Sequence, residues 1–440
     1  VSEMKEALQR LREYFTRTTE GRYLVVVLAM ALIVFTAVLA LPVKLIEPDD
    51  ATYYAAMKAF AQGKLIITRS ELMDFQREII EKGLAVGNFR AIQYVSVGTG
   101  YALEKAPGYP FILAAFYRLG IERFVNLFFG LLALIVFYRM MSKAFSPRTA
   151  LFSSIILLSN ATFLAMFYRI YMSDFVSMAL VLIGLGLYYL GLEDGDWKKG
   201  IISSLSLGAS VLVRYTNVVA YVALAIYVLW LLRKGEKRAL RYSAIAVGAS
   251  VPMLLALMAY NWAVFGSPFT VGYSKTIGYT NFAFQYILAG KVGEGLSLIW
   301  RNLLTHPKLL FEGFPSLILL PAGAYIARRS KITPLLLLWF LAYFGLYFQY
   351  EWLRTGLYIF MTRFYLPMAP AVAGLAGIAI ERLMEGEDGK AVALTLLAFI
   401  LLVDISSLAG FFSFALSGVG ALGGRPTSVP GRGAPPGPGR

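Results

Sequence analysis

Two acids, Asp49 and Asp50, come almost directly after an apolar run, Tyr23 to Val43, that is about as long as a bilayer is thick. Carboxylates so close to hydrocarbon are costly unless they do chemistry or bind a ligand. A carboxylate in such a place can take the proton of an attacking hydroxyl. Further groups follow along the chain. Glu104 and Lys105 precede Ala106-Pro107-Gly108-Tyr109-Pro110, and Arg169 and Asp174 flank Tyr171-Met172-Ser173. Arg214 with Tyr215 divides two apolar runs, and Arg363 opens Arg363-Phe364-Tyr365-Leu366-Pro367. Cations of this kind suit a leaving group that gathers negative charge, and the guanidinium fork matches phosphate oxygens. Each residue also has a plainer reading. Asp49 and Asp50 could cap a helix, Asp174 could cap the span that follows it, Lys105 could snorkel, and Arg214 and Arg363 could anchor at the interface. His306, the lone histidine, is more often structural than a ligand.

The elements that position these groups are membrane spans. The chain has 440 residues, 58% hydrophobic and only 15% charged, with mean hydropathy +0.65. Soluble domains carry about 25% charged residues. There is no cysteine, which removes disulfides and thiolate metal sites. A single histidine excludes a multi-histidine metal cluster. The net charge of +15 sits in short gaps between apolar runs, which is a topology signal and excludes a nucleic-acid partner. Residues 1–22 are charged and no small-residue cleavage site follows the first run, so the sequence predicts a retained first helix.

Apolar runs lie near 23–43, 124–141, 149–168, 173–192, 200–213, 215–232, 241–265, 311–328, 332–350, 366–384 and 391–413, which predicts about eleven spans. The fold class is all-α, a polytopic transmembrane bundle with juxtamembrane helices in the first outer loop. Lys5, Arg10, Arg12, Arg17 and Arg22 precede the first span, and alternate gaps carry Arg139, Lys143 and Arg148, then Lys198 and Lys199, then residues 233–241, then Arg328, Arg329 and Lys331, then Arg382 and Lys390. All fall on one side if the N-terminus is cytoplasmic. The other side receives two long loops, about 44–123 and 266–310, and with them Asp49, Lys105, Asp174 and Arg363. Within the first loop, Ala51 to Gln62 suits an interfacial helix, and Ala106 to Leu119 suits a second with its prolines in the first turn. The tail from Gly418 is rich in Gly, Pro and Arg and is read as disordered. Its Gly418, Gly420 and Gly423 have dinucleotide-loop spacing without the flanking strand and helix, so no nucleotide cofactor is expected. The Asn160-Ala161-Thr162 sequon lies inside a span and is not expected to be glycosylated.

This order of motifs resembles the GT-C superfamily of membrane glycosyltransferases, in particular the branch of protein mannosyltransferases and aminoarabinose (ArnT-like) transferases. Asp49-Asp50 stands where that branch has an Asp-Glu pair, Glu104 to Pro110 where it has a Lys-Pro-Pro motif, Asp174 as an edge acid, and Arg363 to Pro367 as its late Arg-Tyr-x-x-Pro motif. The resemblance runs over about residues 20–385. Ala106 replaces the first proline, Asp50 replaces Glu, and no large outer domain is present. The resemblance implies a sugar donor on polyprenyl or dolichyl phosphate, and an acceptor hydroxyl on a protein, glycolipid or glycan. It also implies inversion at the anomeric carbon. Asp49 is then the candidate base, with Asp50 and Asp174 beside it, and Lys105, Arg214 and Arg363 hold the donor phosphate. Some relatives use a divalent cation, Mg2+, Mn2+ or Zn2+, for which Glu104, Asp174 and His306 are the candidate ligands. The rival classes are a flippase or exporter of lipid-linked saccharides, and a polysaccharide ligase using a lipid diphosphate. The first is disfavoured because charges sit at span edges and no internal repeat is evident.

Overall fold

The computed structural model describes residues 6, 9, 13–86, 92–276, 282–351 and 361–417. The glycine-spaced tail, Lys5, Arg10 and Arg12 lie outside them.

In chain order, α1 (Thr19–Leu39) is followed by α2 (Pro48–Ala61), β1 (Ile66–Ile67), α3 (Arg69–Glu81), β2 (Tyr94–Val97), β3 (Gly100–Leu103) and α4 (Gly108–Arg118). Then come α5 (Val125–Ala144), α6 (Pro147–Ser159), α7 (Ala161–Tyr168), α8 (Ser173–Asp194) and α9 (Trp197–Val213). The rest are α10 (Val218–Arg233), α11 (Arg238–Gly248), α12 (Val251–Phe265), α13 (Ala283–Leu288), α14 (Val292–Gly313), α15 (Leu320–Ile326), α16 (Ile332–Phe348), α17 (Ala369–Met384) and α18 (Glu387–Ser417). Short 3-10 turns, Tyr215–Asn217, Gly272–Lys275 and Arg363–Met368, interrupt the helical course.

Among the described residues, six helical stretches are long and apolar enough to cross a membrane, or eight if each of two bent pairs is one span. The chain is thus a multi-pass helical membrane protein. The sequence count of about eleven treated several interrupted runs as continuous. The 149–168 run bends by 58° at Asn160, between α6 and α7. The 241–265 run is divided into α11 and α12, with Pro252 in the first turn of the second. Residues 292–310 of the expected second outer loop are helical, within α14, which turns by 102° into the segment ending at Ile326.

The centre of the bundle is α8 and the stretch Arg363–Met384, each 94% buried over its most apolar window, whereas α18 is only 17% buried and faces outward. Between membrane helices there is little hydrophobic driving force, so close packing over small residues matters more. The stripe in α17 illustrates it. A Cβ at Gly377 would fall 2.1 Å from Ser153 Oγ of α6.

The loop after α1 is a folded module. The two helices expected there are present as α2 and α4. A three-stranded antiparallel sheet in the order β1-β3-β2 accompanies them, which the all-α expectation did not contain. Lys58 of α2 reaches both oxygens of Glu78 of α3 at 2.5 and 2.6 Å, with Tyr54 also donating to Glu78. The module rests on the bundle through α4, where Gly108 lies so close to Leu212 of α9 that a Cβ would come within 2.6 Å of its carbonyl carbon.

Candidate active site

Asp49 and Asp50 occupy the first turn of α2, which Pro48 opens and Glu47 precedes as N-cap residue. Successive side chains of such a turn point in different directions, and the two acids have different surroundings. Asp50 turns inward. Its Oδ2 accepts from the backbone N–H groups of Ile46 and Glu47 at 3.0 and 2.8 Å, and the buried Arg169 donates to both its oxygens at 2.5 and 3.2 Å. These bonds place Asp50 as support for the turn. Asp49 is partly open. Lys105 Nζ lies 3.1 Å from Asp49 Oδ1, and Arg363 Nη2 lies 3.1 Å from Oδ2.

Glu47, which the sequence reading passed over, is the link between these pairs. Its Oε2 receives Arg169 at 2.7 Å and Arg363 at 2.9 Å. Arg214 is bonded to the buried Asp174 in the first turn of α8, and Arg363 Nη1 stands 3.9 Å from the other oxygen of Asp174. Four carboxylates, Glu47, Asp49, Asp50 and Asp174, therefore alternate with four cations, Lys105, Arg169, Arg214 and Arg363. Burial works against ionisation of Asp49, but Lys105 and Arg363 outweigh it and hold its carboxyl well below the usual carboxylate range. Burial likewise opposes the charge on Lys105, and Asp49 overcomes it, so the ammonium stays protonated.

Aromatic rings wall this cluster. Lys105 Nζ lies 5.0 Å from the centroid of Tyr273, and Arg363 and Arg214 lie 4.8 and 5.4 Å from that of Phe364. Tyr53 donates to Ser173 at 3.1 Å. A cation over a ring face is attracted by the ring quadrupole, more strongly in a dry site. The order of these rings in the chain does not reveal which of them face the cations.

Arg363 is held by its neighbours on both flanks. Thr162 and Thr362 share a hydrogen bond of 2.8 Å, and Thr162 and Asn160 both donate to Gly313 O. Tyr365 hydroxyl is 2.8 Å from His306 Nδ1, and Trp339 Nε1 donates to Pro367 O at 2.7 Å. The sequon Asn160 is buried in this packing, consistent with its exclusion as a glycosylation site.

The three metal candidates are not brought together. Glu104 accepts from Thr276 at 2.9 Å, Asp174 is paired with Arg214, and His306 is buried against Tyr365 inside α14. Among the described residues, no three His, Asp or Glu side chains group so as to hold a metal ion. This donor set does not fit a divalent cation, because the three candidates are apart and each is engaged elsewhere, Asp174 by Arg214, Glu104 by Thr276 and His306 by Tyr365.

The family described as dolichyl-phosphate-mannose-protein mannosyltransferase matches residues 104–262, which carry Lys105, Asp174 and Arg214. No curated protein sequence matches the chain. Among solved structures, the chain is similar to the oligosaccharyltransferase of Archaeoglobus fulgidus in its apo form, with TM-score 0.59 at 14% identity over 92% of this chain and 56% of that one. It is also similar to ArnT from Cupriavidus metallidurans in the apo state, with TM-score 0.55 at 16% identity over 91% and 72% of the two chains. The same ArnT bound to undecaprenyl phosphate gives TM-score 0.52 at 16% identity over 90% and 72%. The chain has a GT-C fold. The resemblance to the protein mannosyltransferase and ArnT branch of that superfamily thus extends from motif order to architecture. The chain spans just over half the length of the archaeal oligosaccharyltransferase.

Proposed function

We propose that the chain is an integral-membrane glycosyltransferase that moves a sugar from a polyprenyl or dolichyl phosphate to an acceptor hydroxyl on the outer face of the membrane. The observation that carries this reading is Asp49 held between Lys105 and Arg363 at the membrane-proximal end of the first outer module. A base and two cations within one hydrogen-bond length are what such a transfer requires. The ArnT structure with undecaprenyl phosphate supports a lipid phosphate as the donor's carrier.

In this reading the donor phosphate competes with Asp49 for Lys105 and Arg363, and an Nε–H of Arg363, buried without a partner among the described residues, is a further donor for it. As the two cations turn to the phosphate, Asp49 loses what holds its pKa down and becomes a better proton acceptor. The acceptor oxygen then forms a bond to the anomeric carbon, the bond from that carbon to the phosphate oxygen breaks, and the electron pair leaves with the lipid phosphate. The acceptor proton goes to Asp49. Attack from the face opposite the phosphate inverts the anomeric centre. No step is routed through a metal.

The test is sugar transfer in nanodiscs from radiolabelled polyprenyl-phosphate mannose, glucose and aminoarabinose to membrane extract. Asp49→Asn is expected to lower transfer by about 10²–10⁴-fold while donor binding is retained. Wild-type protein that transfers no sugar from any of these, yet moves lipid-linked saccharide across vesicles, would instead establish a flippase.

A further inference from the structure

Tyr94, Tyr215 and Tyr260 come from three separate elements, β2, the 3-10 turn after Arg214, and α12. Their hydroxyl groups are buried, and none has a hydrogen-bond partner among the described residues. The amide oxygens of Gln93 and Asn261, each next to one of these tyrosines in the chain, are in the same condition. Tyr94 packs against the apolar cluster that holds Tyr260, and β2, which bears Tyr94, packs on the turn whose Tyr273 ring meets Tyr215. A buried hydroxyl left unpaired is destabilising, and native interiors contain few of them. Three such hydroxyls call for a partner that the described residues do not supply.

The group adjoins the ion cluster. Tyr215 follows Arg214, and its ring stands edge-on to Tyr273 with centroids 6.3 Å apart. The Tyr273 ring carries the Lys105 ammonium at 5.0 Å, and that ammonium is 3.1 Å from Asp49. The turn that bears Tyr273 packs on β2, which bears Tyr94. Gly272 makes this possible, because a Cβ there would fall 2.4 Å from the Glu104 carbonyl oxygen. One lysine and two rings separate the acid from the orphaned hydroxyls.

We infer that Tyr94, Tyr215 and Tyr260 form a subsite for the hydroxyl groups of a sugar ring beside Lys105. This rests on the glycosyl-transfer reading above. A phenol hydroxyl donates and accepts, as a sugar hydroxyl does, so each can satisfy the other. A prenyl chain would leave the phenols unpaired, and a phosphate would favour the cations. The ring belongs to the donor's sugar or to a glycan acceptor.

The test uses the full chain in nanodiscs with Y94F, Y215F and Y260F. Each variant removes one oxygen and keeps the ring, so the melting temperature is expected to stay or rise. Binding is measured for dolichyl-phosphate mannose and glucose and for bare dolichyl phosphate. The sugar-bearing lipids are expected to bind wild type more tightly than the bare lipid, and each variant is expected to lose about three- to tenfold of that advantage. Bare-lipid binding stays unchanged. An intact advantage with a raised KM for a glycan acceptor assigns the subsite to the acceptor sugar. Variants that keep wild-type constants for both donor and acceptor overturn the subsite. Lys105→Gln, measured with bare dolichyl phosphate, separates the two ideas, since undiminished binding there counts against the lipid-phosphate reading itself.

Discussion

Asp49 is shared between Lys105 and Arg363, and this sharing fixes its pH behaviour. A carboxyl whose folded pKa lies below its unfolded value, 3.8, contributes stability above that value and loses it as pH falls further. The resting site should therefore keep its ion pairs from neutral pH down to about 4. Removing one of the two cations lets burial act with less opposition. Lys105→Gln is expected to move the acid limb of the kcat/KM profile up toward the ordinary carboxylate range, read from transfer rates from neutral pH down to about 3. Arg169 has a different role, because it is fully buried on Glu47 and Asp50. Arg169→Met leaves buried carboxylates without their partner and should cost about 3–5 kcal/mol, visible as a fall in melting temperature. The sequence made Asp49, Lys105 and Arg363 legible, because charge at a span edge is rare and needs a reason. It preferred Asp49 to Asp50 as the base only through the family resemblance, since only the turn of α2 decides which acid points inward. Glu47 received no role for the same reason, as an N-cap residue before proline reads as local structure alone.

The charged residues share a position in their elements. Arg169 lies between α7 and α8, Asp174 in the first turn of α8, Arg214 at the end of α9, and Arg363 at the start of a 3-10 turn before α17. Broken helices at membrane depth persist only where protein or a cavity satisfies the freed backbone groups. Here side chains do so, as Asn160 and Thr162 bond to Gly313 O, and Trp339 to Pro367 O. Gly313 has no room for a side chain, because a Cβ would fall 2.3 Å from Thr362 Cγ2, one residue before Arg363. Gly313→Ala is expected to displace Arg363 and lower transfer by about 10²-fold, since misplacing a binding group by about 1 Å costs that much. Gly345→Ala, where the added carbon meets nothing within 4 Å, is expected to transfer sugar at the wild-type rate in the same assay. Length made the apolar runs legible as helices, though not as about eleven spans, since six to eight pass as spans among the described residues. The breaks were not legible, because an apolar run such as 241–265 carries little in its composition to say that α11 stops at Gly248.

At the scale of the whole molecule, the absence of cysteine is an experimental advantage. Any cysteine introduced is unique, and an impermeant maleimide reports the side on which it lies. Glu71→Cys in the outer module is expected to label in intact cells, and Lys198→Cys only after permeabilisation. The reverse pattern would place the ion cluster on the cytoplasmic side. The basic gaps predict this orientation, whereas nothing in the sequence predicts the sheet in the first loop, since β1 has only two residues and leaves no alternating pattern to read. The alternation of four acids with four cations has a consequence for selectivity. In such a site each of the four cations faces a carboxylate, although the chain as a whole is strongly basic. Abundant anionic phospholipids gain little by approaching it, because each cation they could reach already has a carboxylate. Only a ligand that takes over those pairs in register can enter, so excess phosphatidylglycerol should inhibit sugar transfer far less than bare polyprenyl phosphate does.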